Sequence, residues 1–135
     1  MARILIIDEE NISVRGIKYI IEKNLNGVDC FVSRTCSAGL RELDANDYSL
    51  LILDMMLPVG DWYIKSERAD NLYGLDLLEV IRKKYTDLEI ICYTVINEKQ
   101  IIEKIKSLRA HHICKIMNNS REELLSLMKK LIRKK

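Results

Sequence analysis

The sequence predicts an α/β domain, a doubly wound parallel sheet of five strands with helices on both faces. Three observations carry that reading. Apolar runs of strand length alternate along the chain with stretches of helical period. The runs are apolar throughout rather than at every second residue, so each strand needs cover on both of its faces, which a parallel sheet between two helix layers supplies. Polar or charged residues follow the runs directly, at the strand ends where such sheets bind their ligands. The 135 residues suit one domain, 1–135, with one sizeable core.

The elements follow in order. "RILII" (3–7) is a β-branched run ending in acids, and "ISVRGIKYIIEKNL" (12–25) sets Ile12, Ile17, Ile20, Ile21 and Leu25 along one helical stripe. "DCFVSRTC" (29–36) reads as a strand and "SAGLRELDAN" (37–46) as a short helix. "YSLLILDMML" (48–57) is the third and most hydrophobic strand, followed by a helix over 74–85, a strand over 89–95 and a helix over 97–109. "HHICKI" (111–116) is the fifth strand and "SREELLSLMKKLIRKK" (120–135) the closing helix, with Ser120 expected as its N-cap and Glu123 completing a capping box. Right-handed crossovers make the doubly wound sheet the natural arrangement of these units. Residues 59–73, "VGDWYIKSERADNLY", are a long connection for a compact domain. Its Trp62, Tyr63, Ile64 and Tyr73 predict a flap or hairpin folded back on the protein, more than a polar linker.

Composition narrows the function classes. A net charge of +2 gives no basic excess for nucleic acid, and the basic end "KKLIRKK" is what a solvated helix terminus looks like. Cys30, Cys36, Cys92 and Cys114 form no CxxC pair, which argues against a metal cluster or disulfide framework and for a reducing, cytoplasmic setting. No run reaches membrane-spanning length, and the apolar stretch at the start is too short for a signal peptide.

The chemistry lies at the strand ends. Asp54 closes the most hydrophobic strand, and an ionised carboxylate there costs several kcal/mol (order of magnitude) unless it is paired, hydrogen-bonded or bound to metal. Strand one ends in Asp8, Glu9 and Glu10, strand four in Thr94, strand five in Lys115, and a doubly wound sheet brings such ends into one cleft. Gathered carboxylates repel each other, a divalent cation reverses that, and hard oxygen ligands with room for water suit Mg²⁺. A lysine and a hydroxyl beside them could hold the oxygens of a phosphoryl group. Read singly, the three acids could cap the first helix, Thr94 could be structural, and Met55 and Met56 are most simply core fillers.

At these residues the chain resembles the receiver domain of two-component response regulators, the CheY-like family. "ILIIDEE" is similar to its first strand and acidic pair, "LLILDMMLP" to its phospho-acceptor strand with the proline four residues on, and "GLDLLEVIRKKY" to the helix that follows. "YT" (93–94) matches its switch threonine and the lysine of "HHICK" its lysine. The resemblance spans the chain apart from 59–73 and implies a flavodoxin-like sheet of strand order 2-1-3-4-5. It implies Asp54 as the acceptor of a phosphoryl group from a histidine kinase or phosphotransfer protein, in a phosphorelay. It implies Mg²⁺ held by Glu9, Asp54, the backbone carbonyl of Met56 and, through water, Asp8. Thr94 and Lys115 would hold phosphoryl oxygens, and the added charge of about −1.5 to −2 would pull Thr94 inward and reshape the surface of the fourth helix, fifth strand and fifth helix for a downstream effector protein. Such a chain is not a conventional enzyme, though it catalyses its own phosphoryl transfer and dephosphorylation. Nucleic acid and membrane are not expected as direct partners of this chain, and a homodimer stays open.

Four features depart from the family pattern. Glu9 stands where aspartate is commonest; Ile116 follows Lys115 in place of proline, so no cis peptide is expected there; His112 takes the place of the aromatic switch residue; and the loop after Pro58 is roughly a dozen residues longer than usual. These leave open a pseudo-receiver, the same fold used as a phosphorylation-independent protein-interaction module. A haloacid-dehalogenase-type enzyme would need an acid two residues after its nucleophile, where Met56 stands. A flavodoxin-like nucleotide binder lacks a GxGxxG loop among the five glycines.

Overall fold

The computed structural model describes residues 2–62 and 70–133. The described chain runs β1 (Ala2–Ile7), α1 (Asn11–Asn24), β2 (Val28–Ser33), α2 (Cys36–Ala45), β3 (Leu50–Leu53), α3 (Tyr73–Lys84), β4 (Glu89–Thr94), α4 (Lys99–Ser107), β5 (His111–Cys114) and α5 (Ser120–Arg133). The strands form one sheet in the order β2-β1-β3-β4-β5. Every neighbouring pair is parallel, with Ile7 level with both Ser33 and Leu53. The predicted topology is the observed one.

The inner strands are apolar over most of their length because their two sets of alternate residues enter two different cores, whereas the edge strand β2 is only partly buried. On one face Ile4, Ile6, Leu50, Ile52, Ile91, Tyr93 and Ile113 meet Val14, Ile17 and Ile21 of α1 and Leu124, Met128 and Leu131 of α5. On the other, Leu5, Ile7, Leu51, Leu53, Ile90 and Cys92 meet Leu43 of α2, Leu75, Leu78 and Ile81 of α3 and Ile105 of α4. Each such side chain contributes about 1.5–3 kcal/mol by leaving water, so the two layers fix the sheet's position between them.

Three local expectations are corrected. Ile12 is 70% exposed, and Val14 takes the buried place. The stripe that faces the sheet is Val14, Ile17 and Ile21, a run of +3 and +4 steps that leaves Ile12 off it. Ser120 does not cap α5: it is the helix's first residue, its hydroxyl donates to the Lys115 carbonyl at 3.1 Å, and the Glu123 N–H is taken by the Asn119 carbonyl at 2.9 Å. Met56 is not core filler: it is 45% exposed, whereas Met55 is fully buried. β3 is also shorter than its apolar run, ending at Leu53 where Asp54 turns to the cleft.

Both described ends of the long connection are fastened. The Pro58 and Val59 carbonyls accept the Cys36 and Ser37 N–H groups, which open α2 and have no acceptor inside the helix. Asp61 N donates to Ser37 Oγ at 3.2 Å, and its carboxylate pairs with Arg41 at 2.9 Å. Trp62 packs against the α2–α3 core. At the far end Gly74 N donates to the Met55 carbonyl at 2.8 Å. A Cβ on Gly74 would lie on the Asp54 carbonyl oxygen and 2.6 Å from Met55 Cα, so α3 begins in direct contact with the Asp54 backbone. The expected flap or hairpin falls largely on residues 63–69, outside the described residues.

Candidate functional site: the cleft at the carboxyl ends of the strands

β1, β3 and β5 run parallel and finish at one edge, which delivers Asp8, Asp54 and Lys115 to the same point. Asp8 and Asp54 are 2% and 6% exposed. Lys115 Nζ lies 3.2 Å from Asp8 Oδ2 and 3.4 Å from Asp54 Oδ2, and 3.2 Å from Ser13 Oγ. The other carboxylate oxygens face backbone donors: Asp54 Oδ1 accepts from Met55 N at 2.7 Å and, at the long distance of 3.5 Å, faces Met56 N, while Asp8 Oδ1 accepts from Glu10 N at 2.9 Å. Asp8 is therefore committed to the cleft and its loop, whereas α1 begins with no side-chain cap and no acid in its first turn.

Burial raises the Asp54 carboxyl above its usual range, and the nearby Asp8 charge adds to that; the Lys115 ammonium and the Thr94 hydroxyl pull the other way without cancelling it. For Lys115, burial would lower the ammonium, but the charges of Asp54 and then Asp8 outweigh it and hold it above its ordinary value. The Lys115 charge thus offsets part, though not all, of the burial cost of the Asp54 carboxylate. Two carboxylates against one ammonium leave a formal excess of one negative charge in a nearly dry cleft.

Thr94 ends β4 fully buried, and its Oγ1 accepts the Ile96 N–H at 3.4 Å. The Ile96 carbonyl accepts a hydrogen bond from His112 Nε2 at 2.8 Å, so Nε2 carries the proton there. Ile96 is thus held through both of its backbone groups, the N–H by the threonine and the carbonyl by the histidine of β5. Glu9 is exposed at the rim, its carbonyl accepting from Arg34 Nη1 at 3.3 Å. Asp8, Asp54, Thr94 and Lys115 are thus brought together; Glu9 and Met56 lie at the mouth; His112 is removed from the carboxylates and linked to Thr94 through Ile96. No cis peptide occurs among the described residues. The residue missed by sequence reasoning is Ser13, because a serine in the first turn of a helix carries no signal for a lysine 102 positions away.

Among the described residues no three His, Cys, Asp or Glu side chains gather into a group able to hold a metal on their own. Mg²⁺ does not ask for such a group, since it keeps several waters and is commonly held by one or two carboxylates. The buried pair Asp8 and Asp54, with its surplus negative charge, fits that ion.

The model of the response regulator receiver domain matches residues 4–128. The chain belongs to that family. Receiver domains work in phosphorylation-dependent signalling, interact with histidine kinases and effectors, and generally bind Mg²⁺. The chain is similar to the response regulator TrrA of Thermotoga maritima, solved in complex with Mg²⁺–BeF, at 25% identity and a TM-score of 0.74, over 97% of this chain and 99% of that one. A CheY-like receiver domain protein of Methanospirillum hungatei JF-1 is 24% identical with a TM-score of 0.76, over 98% and 95% of the two chains. The RcsB response regulator of Salmonella typhimurium shares the fold at 20% identity and a TM-score of 0.80; 99% of this chain is covered, but only 61% of RcsB. No curated protein sequence matches the chain. Among the described residues no helix is long and apolar enough to cross a membrane.

Proposed function

We propose that the chain is a cytoplasmic phosphorylation switch whose phospho-acceptor is Asp54. The observation that carries this is the Lys115 ammonium lying between Asp8 and Asp54 at the carboxyl ends of β1, β3 and β5. A carboxylate oxygen of Asp54 attacks the phosphorus of a phosphohistidine on a histidine kinase or phosphotransfer protein. The N–P bond breaks with its electron pair left on the imidazole, and an acyl phosphate forms. Water later hydrolyses the acyl phosphate, releasing inorganic phosphate and restoring the carboxylate. Burial serves the reaction, because the carboxylate is poorly solvated before attack and the cleft's charges act at low dielectric. Lys115 neutralises a phosphoryl oxygen and Thr94 donates to another. Asp8, Asp54 and the Met56 carbonyl, with Glu9 at the rim, are the groups that would hold Mg²⁺. When bound, Mg²⁺ supplies positive charge against the phosphoryl oxygens.

Once Thr94 turns to the phosphoryl group, Ile96 N loses its acceptor, and the change passes along the Ile96 backbone, from its N–H to its carbonyl, to His112 on β5 and so to the α4–β5–α5 surface read by an effector protein. The joint presence of Asp54, Thr94 and Lys115 in the cleft weighs against a module that works without phosphorylation. The test is intact-mass measurement after incubation with phosphoramidate and Mg²⁺: one phosphoryl mass on the wild type and none on Asp54→Asn. A wild type that stays unmodified at millimolar donor overturns the assignment.

A further inference from the structure

We propose that Ser13 is a positioning residue of this site, a third anchor that holds the Lys115 ammonium by the one uncharged acceptor among its hydrogen-bond partners in the described residues. The proposal rests on the reading of Asp54 as phospho-acceptor and adds a residue from α1 to the machinery supplied by the strand ends.

The Lys115 side chain is 8% exposed, so each of its three N–H donors needs an acceptor. The structure supplies three: Asp8 Oδ2 at 3.2 Å, Asp54 Oδ2 at 3.4 Å and Ser13 Oγ at 3.2 Å. The three differ in what happens to them during the cycle. The carboxylates change partners, because Asp54 becomes an acyl phosphate and both acids are shared with any cation in the cleft. Their hold on Lys115 weakens at the step that needs the ammonium in place. The Ser13 hydroxyl carries no charge, and its attraction for the ammonium survives both changes.

Ser13 is also rigidly placed and otherwise unspent. Val14 and Ile17, 3% and 1% exposed, lock the register of α1 on the sheet and so fix the neighbouring Ser13 at the cleft. The helix N-cap is Glu10, without a side-chain cap bond, so the Ser13 hydroxyl does not serve the helix end. Ser13 and Lys115 share the wall of a cavity of about 190 Å³, together with Glu10, Tyr93 and Arg121. That space admits water in place of a deleted hydroxyl, so the loss on mutation is partial.

The experiment compares the full-length wild type with Ser13→Ala and Ser13→Thr. Mg²⁺ affinity is read by isothermal titration, adduct formation with phosphoramidate by intact mass, and the Lys115 ammonium by NMR of ¹⁵N-lysine protein assigned with Lys115→Arg. Ser13→Ala is expected to weaken Mg²⁺ binding and slow adduct formation by roughly three- to ten-fold, the scale of a water-compensated hydrogen bond to a charged group. Its Lys115 ammonium protons exchange faster, and Ser13→Thr restores all three readouts to within about two-fold. Unchanged values in Ser13→Ala overturn the proposal, and so does a Ser13→Thr as impaired as Ser13→Ala, which marks a packing effect of α1. If the wild type itself takes no phosphoryl group, the Asp54 reading fails, and the ammonium signal still decides the role of Ser13.

Discussion

Two buried cations, at opposite ends of the sheet, meet the same physical problem in opposite ways. Arg82, 5% exposed, donates to five backbone carbonyls: Leu108 and Arg109 beyond α4, Tyr85 and Thr86 beyond α3, and Leu88 before β4, at 2.7 to 3.2 Å. Lys115 lies instead between two carboxylates and a hydroxyl. Burial, then the neighbouring Arg109 charge, lowers the Arg82 guanidinium, while acids raise the Lys115 ammonium. Around Arg82 each guanidinium nitrogen donates to neutral backbone dipoles, and among the described residues no carboxylate forms an ion pair with it. Around Lys115 the anions outnumber the cation. A closed shell makes a clamp; an unbalanced one makes a site.

Mutations can break that contrast. The largest effect on stability is expected from Arg82→Met, which leaves five backbone carbonyls without their guanidinium donor. It should cost about 3 kcal/mol or more in urea unfolding, while the folded fraction still takes a phosphoryl group at close to the wild-type rate. Loss of phosphorylation with stability intact would make Arg82 part of the site and end the comparison. Gly74→Ala is next: its Cβ meets backbone, which cannot swing aside, so the cost is about 1–3 kcal/mol. Because the obstructed atoms belong to Asp54 and Met55, adduct formation should slow as well, a coupling that Arg82→Met lacks.

The smallest effect, and the most diagnostic, is on the stability of Asp54→Asn without Mg²⁺. The folded-state pKa of Asp54 lies above its usual value, so ionised Asp54 costs stability at any pH above that pKa, and the cost is relieved as pH falls through it toward 3.8. The uncharged asparagine should therefore raise the melting temperature at pH 7, with the gap to wild type closing as pH is lowered through that window. A mutant less stable than wild type at pH 7 would mean that the carboxylate is net stabilising, a clamp like Arg82's in kind.

The fold was legible because its signal is local. Runs such as "ILII" (4–7) and "LLIL" (50–53) are apolar at every position, and only cover on both faces accounts for that. The strand-end residues Asp8, Asp54, Thr94 and Lys115 were legible for the same reason, since each polar residue directly follows an apolar run. What escaped depends on distance. Arg82 looks like any basic residue near a helix end, and its partners are carbonyls, which have no residue type; the link to Leu108 spans 26 positions. Ser13 was lost in the same way. Ile12 and Ser120 misled for a different reason: apolarity at 12 continues the stripe by eye, yet the packing register starts at Val14, and the Ser120 hydroxyl finds the Lys115 carbonyl before any helix N–H.

The fastening of the long connection has a practical consequence. Its start is tied to α2 through Pro58 and Val59, and its end to the Met55 carbonyl through Gly74. The described flanks of the connection are thus held at two fixed points, one on α2 and one on the Met55 backbone beside Asp54. Doubling such a loop costs only about 0.6 kcal/mol of closure entropy. With both flanks anchored, a reporter or binding peptide spliced between them is expected to leave the cleft's carboxylates in place, which adduct formation on the grafted protein would check.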